Sequence, residues 1–484
     1  MRNKILLTAK HSFIYALPNF VNKFVGFLLL PLITTYLTPK EYGIWIVFEV
    51  TINILSQILT LGQPAAYLRY YYSTQHSPTI KQYFTSQLLF IGGLVFLLFF
   101  AVTSSLPYWV QIFSNPALFK NLIFLSLIII SLRILNSFLL SDLRARQKPL
   151  GYSLIVILQA LVLLGSTWTF LKVMRLQIVS IFYGHFVSNI IIFILLALLI
   201  IPKRISFSVN LTYLKKAVEY GWPLVFGSIG WMLLNMGDRY VLKYLTNYAQ
   251  TGLYGFAYKI GQLPFYFIVQ PFLVAYHPLA FKWYEHEKDT TYFAKIFLYI
   301  PMVLMLLSLP IVLWADYVVQ ILTPKQAYWE VYSVIGIIAF GYLWTAGTQV
   351  INVAYSIKKK TKIIASLSLG IAILNIILNF ILIPPYGYKG AAIATAISFL
   401  IQFFISFRIA NRLFPVPYEV KKYFLMIIVW FAIVLINRIV LLDSVEKVFV
   451  IRIILFITFP MVLYKLQLFN KGDLKALLQL FNKK

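Results

Sequence analysis

The 484-residue chain contains no cysteine, which excludes a disulfide framework, thiol catalysis and a cysteine-ligated metal. Carboxylates are scarce: 14 Asp and Glu stand against 42 Lys and Arg. With so few acids, two-carboxylate chemistry is hard to place. The five histidines, His11, His76, His185, His277 and His286, form no metal-binding or catalytic spacing, so no metal or other cofactor is called for. Long polar stretches are missing too. No link between apolar segments exceeds about 20 residues, which leaves no room for a soluble catalytic domain on either side of a membrane.

What the chain does contain is apolar: 61% of residues are hydrophobic and the mean hydropathy is +0.83, which rules out a soluble domain. A transmembrane helix needs about 20 mostly apolar residues, and such segments recur from end to end. The expected fold class is therefore all-α, a polytopic membrane protein. Hydropathy places fourteen spans at residues 12–37, 42–63, 83–106, 116–140, 151–171, 176–201, 217–243, 249–275, 291–314, 328–356, 361–383, 386–411, 420–440 and 447–467. Arg2, Lys4 and Lys10 precede the first span, which has no small-residue cleavage site and so reads as a span rather than a signal peptide.

The charges alternate with these spans. When charges at span ends are counted with the adjoining link, 28 Lys/Arg fall on one side, 11 on the other and three inside spans. Clusters on the richer side are Arg144, Arg146 and Lys148; Lys203, Arg204, Lys215 and Lys216; and Lys358, Lys359, Lys360 and Lys362. This bias predicts an even number of spans and both termini in the cytoplasm. Attraction to anionic lipid explains the basicity better than nucleic-acid binding, so no nucleic-acid partner is expected.

An internal repeat occurs at an offset of about 209 residues. Tyr36-Leu37-Thr38 followed by Gly43-Ile44-Trp45 returns as Tyr244-Leu245-Thr246 followed by Gly252-Leu253-Tyr254, and Pro18 has a counterpart in Pro223. Six spans separate the copies, so both halves share one orientation and are related by an axis along the membrane normal. The expected organisation is an N-lobe at 1–205, a C-lobe at 206–412, and two accessory spans with a basic tail at 413–484.

Polar residues inside spans must face partners or a water-filled cavity. Span 1 carries Ser12, Tyr15, Asn19, Asn22, Lys23 and Gly26 on one face; span 2 carries Glu49, Asn53, Ser56, Thr60 and Gln63. Span 4 adds Ser126, Arg133, Ser137 and Ser141, and span 7 adds Ser228, Asn235 and Asp238-Arg239. Span 8 has Lys259, Gln262, Tyr266 and Gln270, and span 10 has Gly341, Thr345, Thr348, Asn352 and Ser356. Under the repeat, spans 1, 2 and 4 correspond to 7, 8 and 10, as a cavity between two lobes requires. For any single stripe, helix packing is an equal explanation. Packing does not explain Lys23 and Lys259, both near mid-depth, where a cation costs about 2.5 kcal/mol or more. Arg133 lies closer to the cytoplasmic end, where snorkelling suffices. Glu49 reads as a partner for a lysine or as a protonatable coupling site. Asp238-Arg239 reads as a surface pair or, alternatively, as an ion pair closing an outer gate.

Several motifs resemble a known family. Tyr36-Leu37-Thr38-Pro39-Lys40-Glu41-Tyr42-Gly43-Ile44-Trp45, Arg69-Tyr70, Asp238-Arg239-Tyr240-Val241-Leu242, the stretch from Gly252 to Ile260, and Tyr386-Gly387-Tyr388-Lys389-Gly390-Ala391-Ala392 are similar to the polysaccharide flippases of the multidrug/oligosaccharidyl-lipid/polysaccharide exporter superfamily. The resemblance runs from span 1 to span 12. It implies two six-helix lobes around a central cavity and transfer of undecaprenyl-pyrophosphate-linked oligosaccharide to the outer leaflet of a bacterial plasma membrane. Membrane lipid, a polysaccharide polymerase and glycosyltransferases would be the partners. On that reading Lys23, Lys259 and Arg133 replace the hydration of the pyrophosphate. Asn19, Asn22, Asn53, Gln63, Gln262, Tyr266 and Asn352 take sugar hydroxyls. Glu49, Asp238 and Arg239 serve coupling or gating.

Three alternatives compete. A drug/cation antiporter of the same superfamily should favour carboxylates in its cavity, whereas here the deep charges are mostly positive. A lipid II flippase would carry a similar cargo but usually shows an arginine-rich start to its first span, which this chain lacks. A membrane-embedded polymerase, ligase or glycosyltransferase would usually need a long outer loop, and the outer links are short, so the chain is not expected to be an enzyme.

Overall fold

A computed structural model of the chain describes residues 2–74, 79–287, 290–440 and 444–468, with the side chains of residues 2–16, 19, 109, 226, 286–287 and 445 outside that description. Of the features read from the sequence, the side chains of Ser12, Tyr15 and Asn19, together with His76 and the basic tail after Leu468, lie outside the described residues.

Helices account for every regular element among the described residues, with no β-strand. Contacts divide the chain into two compact units, each best described by itself. Unit 1 is Met1–Gly255 with Lys362–Ala391, and unit 2 is Phe256–Thr361 with Ala392–Lys484. In chain order, the helices are α1 (Arg2–Tyr36), α2 (Pro39–Leu59), α3 (Gln63–Tyr70), α4 (Thr79–Trp109), α5 (Pro116–Ala145), α6 (Pro149–Trp168), α7 (Val179–Arg204), α8 (Leu211–Met236), α9 (Asp238–Leu245) and α10 (Tyr248–Gly261). They continue as α11 (Gln270–Lys282), α12 (Thr291–Leu313), α13 (Ala315–Leu322), α14 (Tyr332–Ile351), α15 (Val353–Ile357), α16 (Thr361–Tyr386), α17 (Tyr388–Leu413), α18 (Val420–Ile439) and α19 (Val445–Lys465).

Among the described residues, eleven helices are long and apolar enough to cross a membrane, or twelve if a pair bent by 43°, Tyr248–Gly261 and Phe265–Glu285, counts as one span. The sequence predicts fourteen. Helices α1 and α8 also occupy the places of the first and seventh predicted spans.

Local chemistry explains where these helices begin. Thr38, Pro39 and Glu41 form a capping box: the Thr38 hydroxyl accepts from Glu41 N at 3.3 Å, and the Glu41 carboxylate accepts from Thr38 N at 2.8 Å. Pro39, with no N–H to leave unsatisfied, occupies the first turn. Asn115, Asn210 and Ser444 cap α5, α8 and α19 with one bond each, their side-chain oxygens accepting from the backbone N–H three residues on.

Breaks inside spans have local causes as well. Span 2 divides after α2 where Leu61 and Gly62 adopt φ of 45° and 69°, in the left-handed region that glycine tolerates and leucine does not favour. Span 8 bends at Pro264, which cannot donate to the helix ladder, and a π-turn at Phe265–Val269 follows.

In unit 1, α5 is the central helix, packing against α2, α3, α4 and α7, while α1 lies on α6. Two glycines set a close crossing of α2 with α10. A Cβ at Gly43 would lie 2.9 Å from Gly252 N, and one at Gly252 would lie 2.8 Å from Gly43 N, so only glycine lets the two backbones meet. The contact is reciprocal across the repeat: Gly43 sits against Tyr248 as Gly252 sits against Pro39, and each pair differs by the 209-residue offset. In unit 2, α12 packs on α14, α18 and α19, with Tyr423, Phe403 and Trp344 at the centre of an aromatic core.

Candidate functional site

Polar residues on α2 recur at steps of four and three, so Glu49, Asn53 and Ser56 share a face. α5 presents Arg133 and Ser137, and seven residues later Arg144. Together with α3 and α8 these faces enclose a cavity of about 970 Å³ in unit 1. Its polar lining includes Asn53, Ser56, Thr60, Arg133, Ser137, Arg144 and Ser228, and Trp231, Met232 and Met236 of α8 form an apolar wall.

Arg133 is held by a network. Its Nη1 donates to Asn53 Oδ1 at 2.7 Å and its Nη2 lies 3.3 Å from His185 Nδ1. His185 stacks on Trp45 with ring centroids 4.9 Å apart, which fixes the imidazole. Glu49 is half-buried and near enough to act on Arg133 electrostatically. These contacts use two of the five guanidinium N–H donors, so the side chain keeps donors for a further acceptor. Arg144 lines the same cavity, its Nε buried without a hydrogen-bond partner and its guanidinium 5.6 Å from the Tyr152 ring centroid. Such an arrangement can bind an anion at Arg133, and Arg144 supplies a second cation eleven residues along α5, about 16 Å along its axis, with hydroxyls and amides between them in walls that are otherwise apolar.

Next to Arg144 on α5, Asp142 is fully buried and ties three helices together. It accepts a hydrogen bond from the Tyr67 hydroxyl at 2.8 Å, pairs with Arg146, and lies 3.3 Å from Arg204 Nε. Arg146 and Arg204, counted from the sequence as topology charges, are thus partners of a buried carboxylate.

Of the residues singled out from the sequence, the structure brings Asn53 and Arg133 to the cavity, with Glu49 beside them. Asn22 and Lys23 lie on an exposed face of α1 and are not among the cavity's lining. Gln63, expected to meet sugar hydroxyls, is fully buried at the start of α3, with its amide unpartnered.

Asp238 and Arg239 are not a surface pair: they are 0% and 6% exposed, with carboxylate and guanidinium 2.5 Å apart. The Tyr254 hydroxyl donates to the other Asp238 oxygen at 2.5 Å, and Arg239 also donates to Asn235 O.

In unit 2, Gln262 Oε1 accepts from the Tyr342 hydroxyl at 3.1 Å, which in turn lies 3.1 Å from the Tyr258 hydroxyl. Tyr266 packs on the Tyr342 ring, and Lys259 is half-buried nearby on α10. Asn352, at the break between α14 and α15, has a buried Oδ1 without a partner. Three further members of the span-10 stripe are engaged in helix packing: Thr345 and Thr348 donate to carbonyls four residues back, and Gly341 admits Ala396 of α17. Sequence reasoning missed Arg144, His185 and Asp142. The Arg133–Ser137–Ser141 stripe continues to Arg144 at a step of three, a signal that was present; nothing in the spacing marks His185, which comes from another helix.

A family model described as polysaccharide biosynthesis protein matches residues 8–283. The chain belongs to this family. A relative of this chain, an uncharacterized membrane protein of Methanocaldococcus jannaschii, is 27% identical over 236 residues, 47% of this chain and 45% of its own length. The match therefore spans less than half of that relative. Among solved structures, the lipid II flippase MurJ in an inward closed conformation superposes with a TM-score of 0.75 at 16% identity, covering 93% of this chain and 98% of MurJ. An inward-facing multidrug resistance transporter of the MATE family, in the MOP superfamily, gives 0.65 at 15% identity, covering 83% of this chain and 94% of its own. At such identities the likeness is one of fold.

Proposed function

We propose that this member of the polysaccharide biosynthesis protein family is a flippase that moves undecaprenyl-pyrophosphate-linked oligosaccharide from the cytoplasmic to the outer leaflet, by alternating access. The observation that carries this reading is the cavity holding Arg133 and Arg144 within apolar helices. A pyrophosphate cannot cross hydrocarbon unaided, because stripping water from a multiply charged group costs many kcal/mol. Arginine forks replace that water with paired, charge-assisted hydrogen bonds. Asn53, Ser56 and Ser137 supply contacts for sugar hydroxyls, and Glu49 balances Arg133 when no cargo is present.

Lys23 and Lys259 are proposed as further cationic contacts, with Asn19, Asn22, Gln262, Tyr266 and Asn352 as polar ones, and Asp238-Arg239 as part of a gate. The two lobes at 1–205 and 206–412, cytoplasmic termini and partnership with a polymerase and glycosyltransferases belong to the same proposal. The test is reconstitution in liposomes with a labelled undecaprenyl-pyrophosphate oligosaccharide, following its exposure on each leaflet. Transfer supports the reading. Absence of transfer with several such cargoes, together with ion-driven efflux of a cationic dye, would instead assign the protein to the antiporter branch.

A further inference from the structure

Two cavities in unit 2 share one side chain, Arg438. The first, about 280 Å³, is an apolar groove between α14, α17 and α18, walled by Phe340, Ile397, Trp430 and Phe431. Gly336 lies at its edge, where a Cβ would press on Val312 Cγ1 of α12 at 3.1 Å. The second, about 630 Å³, is about half polar: Asp316, Ser333, Asn437, Arg438 and Arg452 line it together with apolar residues of α12 and α19.

Among the described residues the charges here do not cancel. Arg452 is neutralised, donating to both Asp316 oxygens at 2.8 Å and to Asn437 Oδ1 at 3.3 Å. Arg438 is exposed, donates to the Ser333 carbonyl and meets no carboxylate among the described residues. It stands in the last turn of α18, at the height of a headgroup, whereas Trp430 lies eight residues deeper, about 12 Å along the helix. A cation with no carboxylate partner among the described residues, at a helix end, with a partly polar pocket on one side and an apolar groove running inward on the other, has the polarity pattern of one phospholipid.

We propose that this composite site holds an anionic phospholipid, its phosphate on Arg438 and part of one acyl chain in the groove. The site differs from the unit 1 cavity, and the inference does not depend on the cargo proposed for that cavity. The experiment is titration of the purified full-length protein in detergent with spin-labelled phosphatidylglycerol and phosphatidylcholine, with inorganic phosphate as competitor. Phosphatidylglycerol should bind at least 10-fold more tightly than phosphatidylcholine, and Arg438→Gln should remove that preference. Asp316→Asn, which frees Arg452, should raise phosphatidylglycerol affinity severalfold; this opposite shift separates recognition from damage to the fold. Equal affinity for the two lipids, a preference that survives Arg438→Gln, or displacement by inorganic phosphate at lipid-equivalent concentrations would overturn the proposal.

Discussion

Arg133 sits within a span, where a lone cation is costly, and the structure shows how that cost is met: an amide, an imidazole and the field of Glu49. If its fork receives cargo phosphate, Arg133→Gln should lower transfer by 10-fold or more, and Arg133→Lys should recover only part of it, because a point charge cannot pair two oxygens. Unchanged transfer in Arg133→Gln at equal protein level would remove it from the site. Asp142 has a structural role instead. Replacing it by Asn leaves Arg146 and Arg204 facing a neutral amide, and breaking a buried pair costs about 3 kcal/mol. A thermal melt should show that loss; a shift within error would mean water already satisfies the cluster. Arg133 and Asn53 were legible in the sequence because helical spacing put them on inward faces. Arg144 was not recognised because a cation near a cytoplasmic end has a topological explanation, and His185 reaches the network from α7, a contact no single-helix pattern encodes.

Hydropathy located the helices well because the bilayer demands a continuous apolar length, and α12 matches span 9 to within a residue at its end. The interruptions were harder to see. Leu61–Gly62, Gly237, Pro264 and Asn352 divide predicted continuous spans, since apolar residues on both sides conceal a backbone change that depends on neighbouring helices. Glycine spacing acquires its meaning at the same scale. Gly43 and Gly252 recur in the sequence as matching motif positions, and in the fold they are the point where α2 and α10 touch. Gly43→Ala and Gly252→Ala should each destabilise by about 1–3 kcal/mol through overpacking. Because either change opens the same crossing, the double variant should lose less than the sum. Full additivity in thermal unfolding would contradict a shared crossing.

For the whole molecule, family membership and the many apolar helices make this a multi-pass membrane protein. The 28 to 11 distribution of Lys/Arg leads us to expect both termini in the cytoplasm. Since the chain has no cysteine of its own, a single cysteine near either end gives a clean accessibility probe. Both positions should resist an impermeant thiol reagent applied to intact cells; labelling of one end alone would change the number of crossings by an odd number.

If Arg133 and Arg144 make the unit 1 cavity a site for pyrophosphate, removing both must stop transfer. The deciding measurement is leaflet transfer of labelled undecaprenyl-pyrophosphate oligosaccharide in liposomes, comparing wild type with the Arg133→Gln/Arg144→Gln variant at matched protein content. Wild type should transfer the cargo and the variant should lose about 100-fold or more, as expected when about 2.7 kcal/mol of charge-assisted hydrogen bonding is removed. Equal transfer by both proteins would contradict it.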